Sequence, residues 1–127
     1  MLARRKRFEL LIADDDQGFR ETLRDVLAPY YQTVEVCCAE EAIEVVQHRP
    51  VDAALLDMHM HVMTGLEAVQ ILRRLRALLP CILISADADE SLQQAAAEVS
   101  AYRVLKKPVR RHELLDTIST ALHERML

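Results

Sequence analysis

The sequence predicts an α/β fold, a doubly wound parallel sheet of five strands with helices on both faces. Three observations carry this. Five short apolar runs alternate with five stretches of helical periodicity. The runs are continuously apolar rather than alternating, as strands covered on both faces must be. The chain has 127 residues, 51% of them hydrophobic and 28% charged, enough for one domain with a real core and too few for two. Such alternation requires right-handed helical crossovers between parallel strands.

The elements follow in order. Phe8 to Ala13 is a short apolar run that ends at acid and reads as the first strand. Phe19, Leu23, Val26 and Leu27 recur at helical spacing, with Pro29 at the exit. Thr33 to Cys37 is a β-branched second strand, and Glu40 to His48 a helix with Ala42, Ile43, Val45 and Val46 on one side. Ala53 to Leu56 is the third strand. Leu66, Val69, Leu72, Leu75 and Leu79 predict an amphipathic helix ending before Pro80. Cys81 to Ile84 is the fourth strand. Asp89 to Val99 is a helix with a thin apolar face of Leu92, Ala95, Ala96 and Val99. Tyr102 to Leu105 is the fifth strand, and Arg111 to about Arg125 a closing helix that uses Leu114, Leu115, Ile118 and Leu122.

The net charge of -4 argues against a protein that binds nucleic acid by neutralising phosphates. The basic start, residues 1–7, reads as a solvated tail, because the apolar run after it is too short for a signal peptide and ends in three aspartates. No stretch approaches the length of a membrane span. Cys37, Cys38 and Cys81 form no even disulfide set and read as small buried hydrophobes of a reducing cytoplasm.

In sheets of this kind ligands sit beyond the carboxyl ends of the strands. Strand one ends in Asp14-Asp15-Asp16, strand three in Asp57, strand four in Ser85-Ala86 and strand five in Lys106-Lys107-Pro108. Asp16 is explained as the N-cap of the first helix. Asp14 and Asp15 facing Asp57 are not explained by caps, since clustered carboxylates repel. A hard divalent cation removes that conflict, and magnesium, with its oxygen ligands and retained waters, suits two or three acids. Lys107 would then supply a point charge and Ser85 a hydroxyl to the oxygens of a phosphoryl group, with an aspartate as nucleophile.

At this point the chain resembles the response-regulator receiver domain of two-component signalling, over nearly its whole length. The residues that carry the likeness are Leu11-Ile-Ala-Asp-Asp-Asp16, Leu55-Leu-Asp57-Met-His-Met60 with Gly65, Ile84-Ser85-Ala86, and Lys107-Pro108. The resemblance implies that residues 8–127 are the receiver domain, with a flavodoxin-like sheet in the order 2-1-3-4-5. It implies Asp57 as the phosphoacceptor, Asp15 as a direct ligand of Mg2+ (or Mn2+), and Asp14 as a ligand through water. It assigns the backbone carbonyl of His59 to the same metal shell. Ser85 takes the switch hydroxyl position, Lys107 the phosphoryl-stabilising lysine, and a cis peptide precedes Pro108. Ala86 leaves room for the phosphoryl group.

The function so implied is phosphorelay signalling in the cytoplasm. A histidine kinase or histidine phosphotransfer protein supplies the phosphoryl group. The output is a downstream target or an output domain outside this chain, and a homodimer through the fourth helix, fifth strand and fifth helix is the assembly to expect. No direct nucleic-acid or membrane contact is implied. The protein would be no enzyme beyond catalysing its own phosphorylation and dephosphorylation.

Four positions depart from the family pattern. His61 replaces a proline, Thr64 an acid before the glycine, and Ser100 stands where a glycine commonly turns the chain, so that a rearranged turn is expected. Val104 occupies the place of the switch aromatic. Tyr102, two positions earlier, is expected on the same face, and whether it substitutes stays open. A degenerate receiver that binds partners without phosphorylation is the main rival. Dinucleotide, flavin and P-loop readings fail on two glycines and an acidic first loop. A haloacid-dehalogenase-type phosphatase would want an aspartate where His59 stands. Met58-His-Met-His-Val-Met63 could hold copper, but methionines packed on the core explain it more simply.

Overall fold

A computed structural model describes residues 7–126. Of the basic tail only Arg7 falls within that range. It is exposed, and its Nη2 donates to the Ala28 carbonyl at 2.6 Å. The chain runs β1 (Glu9–Ala13), α1 (Gln17–Leu27), β2 (Gln32–Val36), α2 (Ala39–His48), β3 (Ala53–Asp57), α3 (Gly65–Leu75), β4 (Cys81–Ser85), α4 (Glu90–Glu98), β5 (Arg103–Lys106) and α5 (Arg111–Met126). The sheet is parallel throughout in the order β2-β1-β3-β4-β5. No helix among the described residues is long and apolar enough to cross a membrane.

The period of two along a strand divides the core between the sheet's faces. Leu11, Ala13, Ala54, Leu56, Cys81, Leu83 and Val104 meet α2, α3 and α4 through Ala42, Val46, Ala68, Val69, Leu72 and Ala96. Leu10, Ile12, Ala53, Leu55, Ile82, Ile84 and Leu105 meet α1 and α5 through Leu23, Leu27, Leu114, Ile118 and Leu122. Every residue of β3 and of β4 is buried, which is why those strands read as unbroken apolar runs.

Helix ends follow from local chemistry. Asp16 caps α1, its side chain accepting from the Phe19 amide at 3.1 Å. Thr64 caps α3 in a reciprocal box. Its hydroxyl accepts from Glu67 N at 3.2 Å while Glu67 Oε1 accepts from Thr64 N at 3.1 Å, so the hydroxyl that replaces the family's acid does a cap's work. The turn after α4 is not rearranged. Ser100 takes φ 63°, Ser100 N donates to Ala97 O and Ala101 N to Ala96 O, the helix-ending arrangement normally given to glycine.

Three expectations need correction. α3 stops at Leu75, short of Pro80, because Arg76 turns extended and its Nη2 is held by the carbonyls of Val46 and Arg49 at 2.8 and 3.0 Å. Leu75 is therefore exposed at 45%, and Leu79 reaches the core from the connection rather than from the helix. β2 ends at Val36, which leaves Cys37 exposed and Cys38 half-buried in the β2–α2 turn. Cys81 alone is buried as expected, and burial pushes its thiol up to about 12.

Candidate functional site

The sheet order reverses at β1 and β3, where α1 leaves toward one face and α2 and α3 lie on the other. In the register, Ala13 is the partner of Leu56. The next residue of each strand is therefore an aspartate beside an aspartate. Asp14, Asp15 and Asp57 each bring a carboxylate oxygen within 4.8 Å of the others. Asp14 is 1% exposed and Asp57 5%, while Asp15 is open to solvent.

Burial, with the charge of Asp57 beside it, holds the Asp14 carboxyl above the usual carboxylate range. The Asp16 amide, donating to Asp14 Oδ1 at 2.9 Å, and Lys107 offset this only in part. An all-oxygen cluster with one acid that resists ionising is matched to a hard divalent cation, which would neutralise it. Asp14, Asp15 and Asp57 are the residues that could hold one.

Lys107 arrives from the far side of the sheet. Its backbone N donates to Ser85 O at 3.0 Å, and the peptide to Pro108 is cis, as the resemblance implied. The ammonium lies 3.0 Å from Asp57 Oδ1 and 3.4 Å from Asp14 Oδ2. Partial burial works against its charge, but the hydrogen bond to Asp57 and the charges of both acids outweigh that and raise its pKa. Its other neighbour is the Phe19 ring, 4.2 Å from Nζ to the centroid. The sequence reading assigned Phe19 to the core and missed this contact, although its place one turn into α1, after the acids, was the available signal.

Gly65 is the tightest constraint on Asp57. A Cβ there would collide with the Asp57 carbonyl oxygen and stand 2.8 Å from Leu83 Cδ2, while Gly65 N donates to Met58 O at 2.9 Å. The first turn of α3 thus rests directly on the backbone of Asp57. Arg20 is a second feature not anticipated, its Nη1 donating to the Asp14 carbonyl at 2.6 Å and its Nε pairing with Glu35 at 3.5 Å.

The remaining candidates are placed as follows. Ser85 is fully buried at the end of β4, and its Oγ accepts from the Asp87 amide at 3.1 Å. The His59 imidazole points outward, 65% exposed and 3.9 Å from Asp87 Oδ2, apart from the acid cluster. Met58, Met60 and Met63 pack on the core, and His61 is exposed. Val62 between them is 93% exposed with φ 70°, closing a three-residue turn in which Met63 N donates to His61 O at 2.8 Å.

The expected shared face of Tyr102 and Val104 is corrected. Val104 packs toward α4, but Tyr102 packs with the α1 and α5 side. β5 begins at Arg103, so Tyr102 lies before the strand and escapes its alternation. Burial and a hydrogen bond to Glu124 of α5 hold its phenol above the usual range.

Known proteins were compared with this chain. The family model described as the response regulator receiver domain matches residues 10–119. The cyclic di-GMP phosphodiesterase response regulator RpfG of Xanthomonas campestris pv. campestris is 36% identical over 121 residues, 91% of this chain and 32% of that protein. The sensory/regulatory protein RpfC of the same organism is 30% identical over 122 residues, 92% of this chain and 17% of that protein. The chain thus spans a third or less of the length of these relatives. Among solved structures, a CheY-like receiver domain protein from Methanospirillum hungatei superposes with a TM-score of 0.91 at 23% identity, covering 95% of this chain and 98% of that one. A putative response regulator from Chloroflexus aurantiacus gives 0.88 at 29% identity, covering 93% and 99%.

Proposed function

Because this chain belongs to the response regulator receiver family of two-component systems, we propose that it accepts a phosphoryl group on Asp57 in a magnesium-dependent reaction. The observation that carries this is the meeting of Asp57 with Asp14, Asp15 and Lys107 on one sheet edge. Asp15, Asp57 and the His59 carbonyl would hold Mg2+ directly and Asp14 through water, and the ion would supply charge neutralisation for phosphoryl transfer.

A carboxylate oxygen of Asp57 attacks phosphorus, the phosphorus–nitrogen bond of a phosphohistidine donor breaks, and its electron pair leaves with the imidazole. Lys107 needs only a short shift from Asp57 Oδ1 to meet a phosphoryl oxygen. The Ser85 hydroxyl, whose oxygen accepts from the Asp87 amide, donates its own proton to the same group. Gly65 keeps the acceptor backbone in place. Movement of Ser85 and Lys107 biases α4 and β5, and the thin alanine face of α4 gives that helix low local stability.

In this reading the donor is a histidine kinase or phosphotransfer protein. The protein works in the cytoplasm, catalyses only its own phosphorylation and dephosphorylation, and passes the change to a target protein, an output domain or a second copy docked at α4, β5 and α5. The relay does not use an aromatic swing, since Val104 lacks the ring and Tyr102 packs on the other face. Incubation with acetyl phosphate and Mg2+ is expected to add one phosphoryl mass that Asp57→Asn abolishes. No addition would sink the proposal and favour a receiver that binds partners without phosphorylation.

A further inference from the structure

Outside the acid cluster, the described residues hold one other group of metal-ligating side chains. Cys37, Cys38 and Glu41 bring two sulfurs and a carboxylate oxygen within 4.8 Å of one another. They stand where β2 gives way to α2, on the same sheet edge as Asp14, whose amide donates to Val36 O at 3.2 Å.

The group is preorganised. Both donors of Cys37, its amide and its thiol, go to the same oxygen, Glu41 Oε1, at 3.0 and 3.2 Å. Glu41 Oε1 thus holds Cys37 in position and occupies the point that the thiol proton now faces. Cys38 is the N-cap of α2 and makes no side-chain cap bond; its thiol instead hydrogen-bonds within the group, to Cys37 and Glu41. Cys37 is exposed and Cys38 half-buried, which leaves the group open to solvent.

We propose that Cys37, Cys38 and Glu41 form a second, soft cation site that takes a zinc-class ion through two thiolates and one carboxylate. The ion replaces the proton between Cys37 and Glu41 and one proton on Cys38, so binding releases two protons. Tetrahedral zinc, with zinc–sulfur bonds of about 2.3 Å and zinc–oxygen bonds near 2.0 Å, holds its sulfurs roughly 3.8 Å apart and a sulfur and an oxygen roughly 3.5 Å apart, so the Cys37 Sγ–Glu41 Oε1 pair need only open slightly from 3.2 Å to admit the ion. No fourth ligand stands among the described residues in the cluster, which leaves one position for water. The thiolate pair selects against magnesium, and the oxygen-only cluster at Asp57 lacks the soft donors, so the two sites separate hard from soft ions.

The test is a zinc titration of the reduced chain by calorimetry, with Mg2+ in excess to fill the acid cluster, together with cobalt(II) absorption. The expected result is one zinc per chain, two protons released, and a thiolate-to-cobalt charge-transfer band. Asp57→Asn retains all three. Cys37→Ser and Cys38→Ser weaken zinc binding by more than the roughly 10- to 100-fold that an outer partner of a ligand is worth. The proposal is overturned by unchanged affinity in either serine variant, by loss of binding in Asp57→Asn, or by absence of the band in the wild-type chain. Unchanged affinity in Glu41→Gln would overturn the three-ligand assignment.

Discussion

The ammonium of Lys107 stands 3.0 Å from Oδ1 of Asp57 and, among the described residues, is the only cation paired with the carboxylates of the acid cluster. It therefore competes with a divalent ion for the same carboxylates. Lys107→Met is expected to bind Mg2+ more tightly, by an amount of the order of 1 kcal/mol or a severalfold fall in Kd. It is also expected to slow acyl-phosphate formation. Magnesium titration by calorimetry, beside a phosphorylation time course, reads both. Weaker magnesium binding in the variant would contradict the competition.

The raised Asp14 carboxyl sets a pH dependence. Between its unfolded and folded pKa the native state holds the extra proton, so metal-free stability falls as pH rises through that window. Magnesium needs the ionised form. Its stabilisation, about 1.4 kcal/mol at a tenfold excess over Kd, is expected to grow as pH rises through the folded Asp14 value and to fade in acid. Lys107 adds an alkaline limb. Its stabilising share is present below its ordinary value of 10.5 and is lost as pH climbs through its raised one. Thermal melts with and without Mg2+ across pH show whether the increment follows this course.

Gly65→Ala tests the contact between α3 and the Asp57 backbone. The added methyl must displace the Asp57 carbonyl and Leu83 together, so a loss of about 1 to 3 kcal/mol is expected. Denaturant midpoints measure the loss, and beryllofluoride binding should weaken beyond it because Asp57 itself moves.

Val62 is a β-branched residue at φ 70° with 93% of its surface in solvent. Its side chain gains little and its backbone costs roughly 1 to 2 kcal/mol. Val62→Gly is expected to leave stability unchanged or raise it by up to about 1 kcal/mol, with the glycine's unfolded-state entropy setting the lower figure. A drop in the urea midpoint would count against the strain.

How far the sequence speaks for the structure depends on the kind of feature. The five strands and the meeting of Asp14, Asp57, Ser85 and Lys107 were legible because two-sided burial leaves apolar runs and parallel order brings their carboxyl ends to one edge. Leu75 and Leu79 were misread because the end of α3 is decided by Arg76 reaching α2, a contact far off in sequence. Tyr102 was misread because strand parity was extended one residue past β5. The cysteines were read by composition, and the early end of β2 exposes two of them. Phe19 was seen as core because a periodic position does not reveal which cation lies on its ring.

The bond from Lys107 to Asp14 joins residues 93 apart in the chain. A polypeptide leaving the ribosome thus carries its acids long before the lysine that balances them, and it can form β1 and β3 with those charges uncompensated. Closing the site late ties the last strand to the first, so the charge balance of the acid cluster reports that the whole sheet has been made. A shortened translation product keeps Asp57 but not the balance around it.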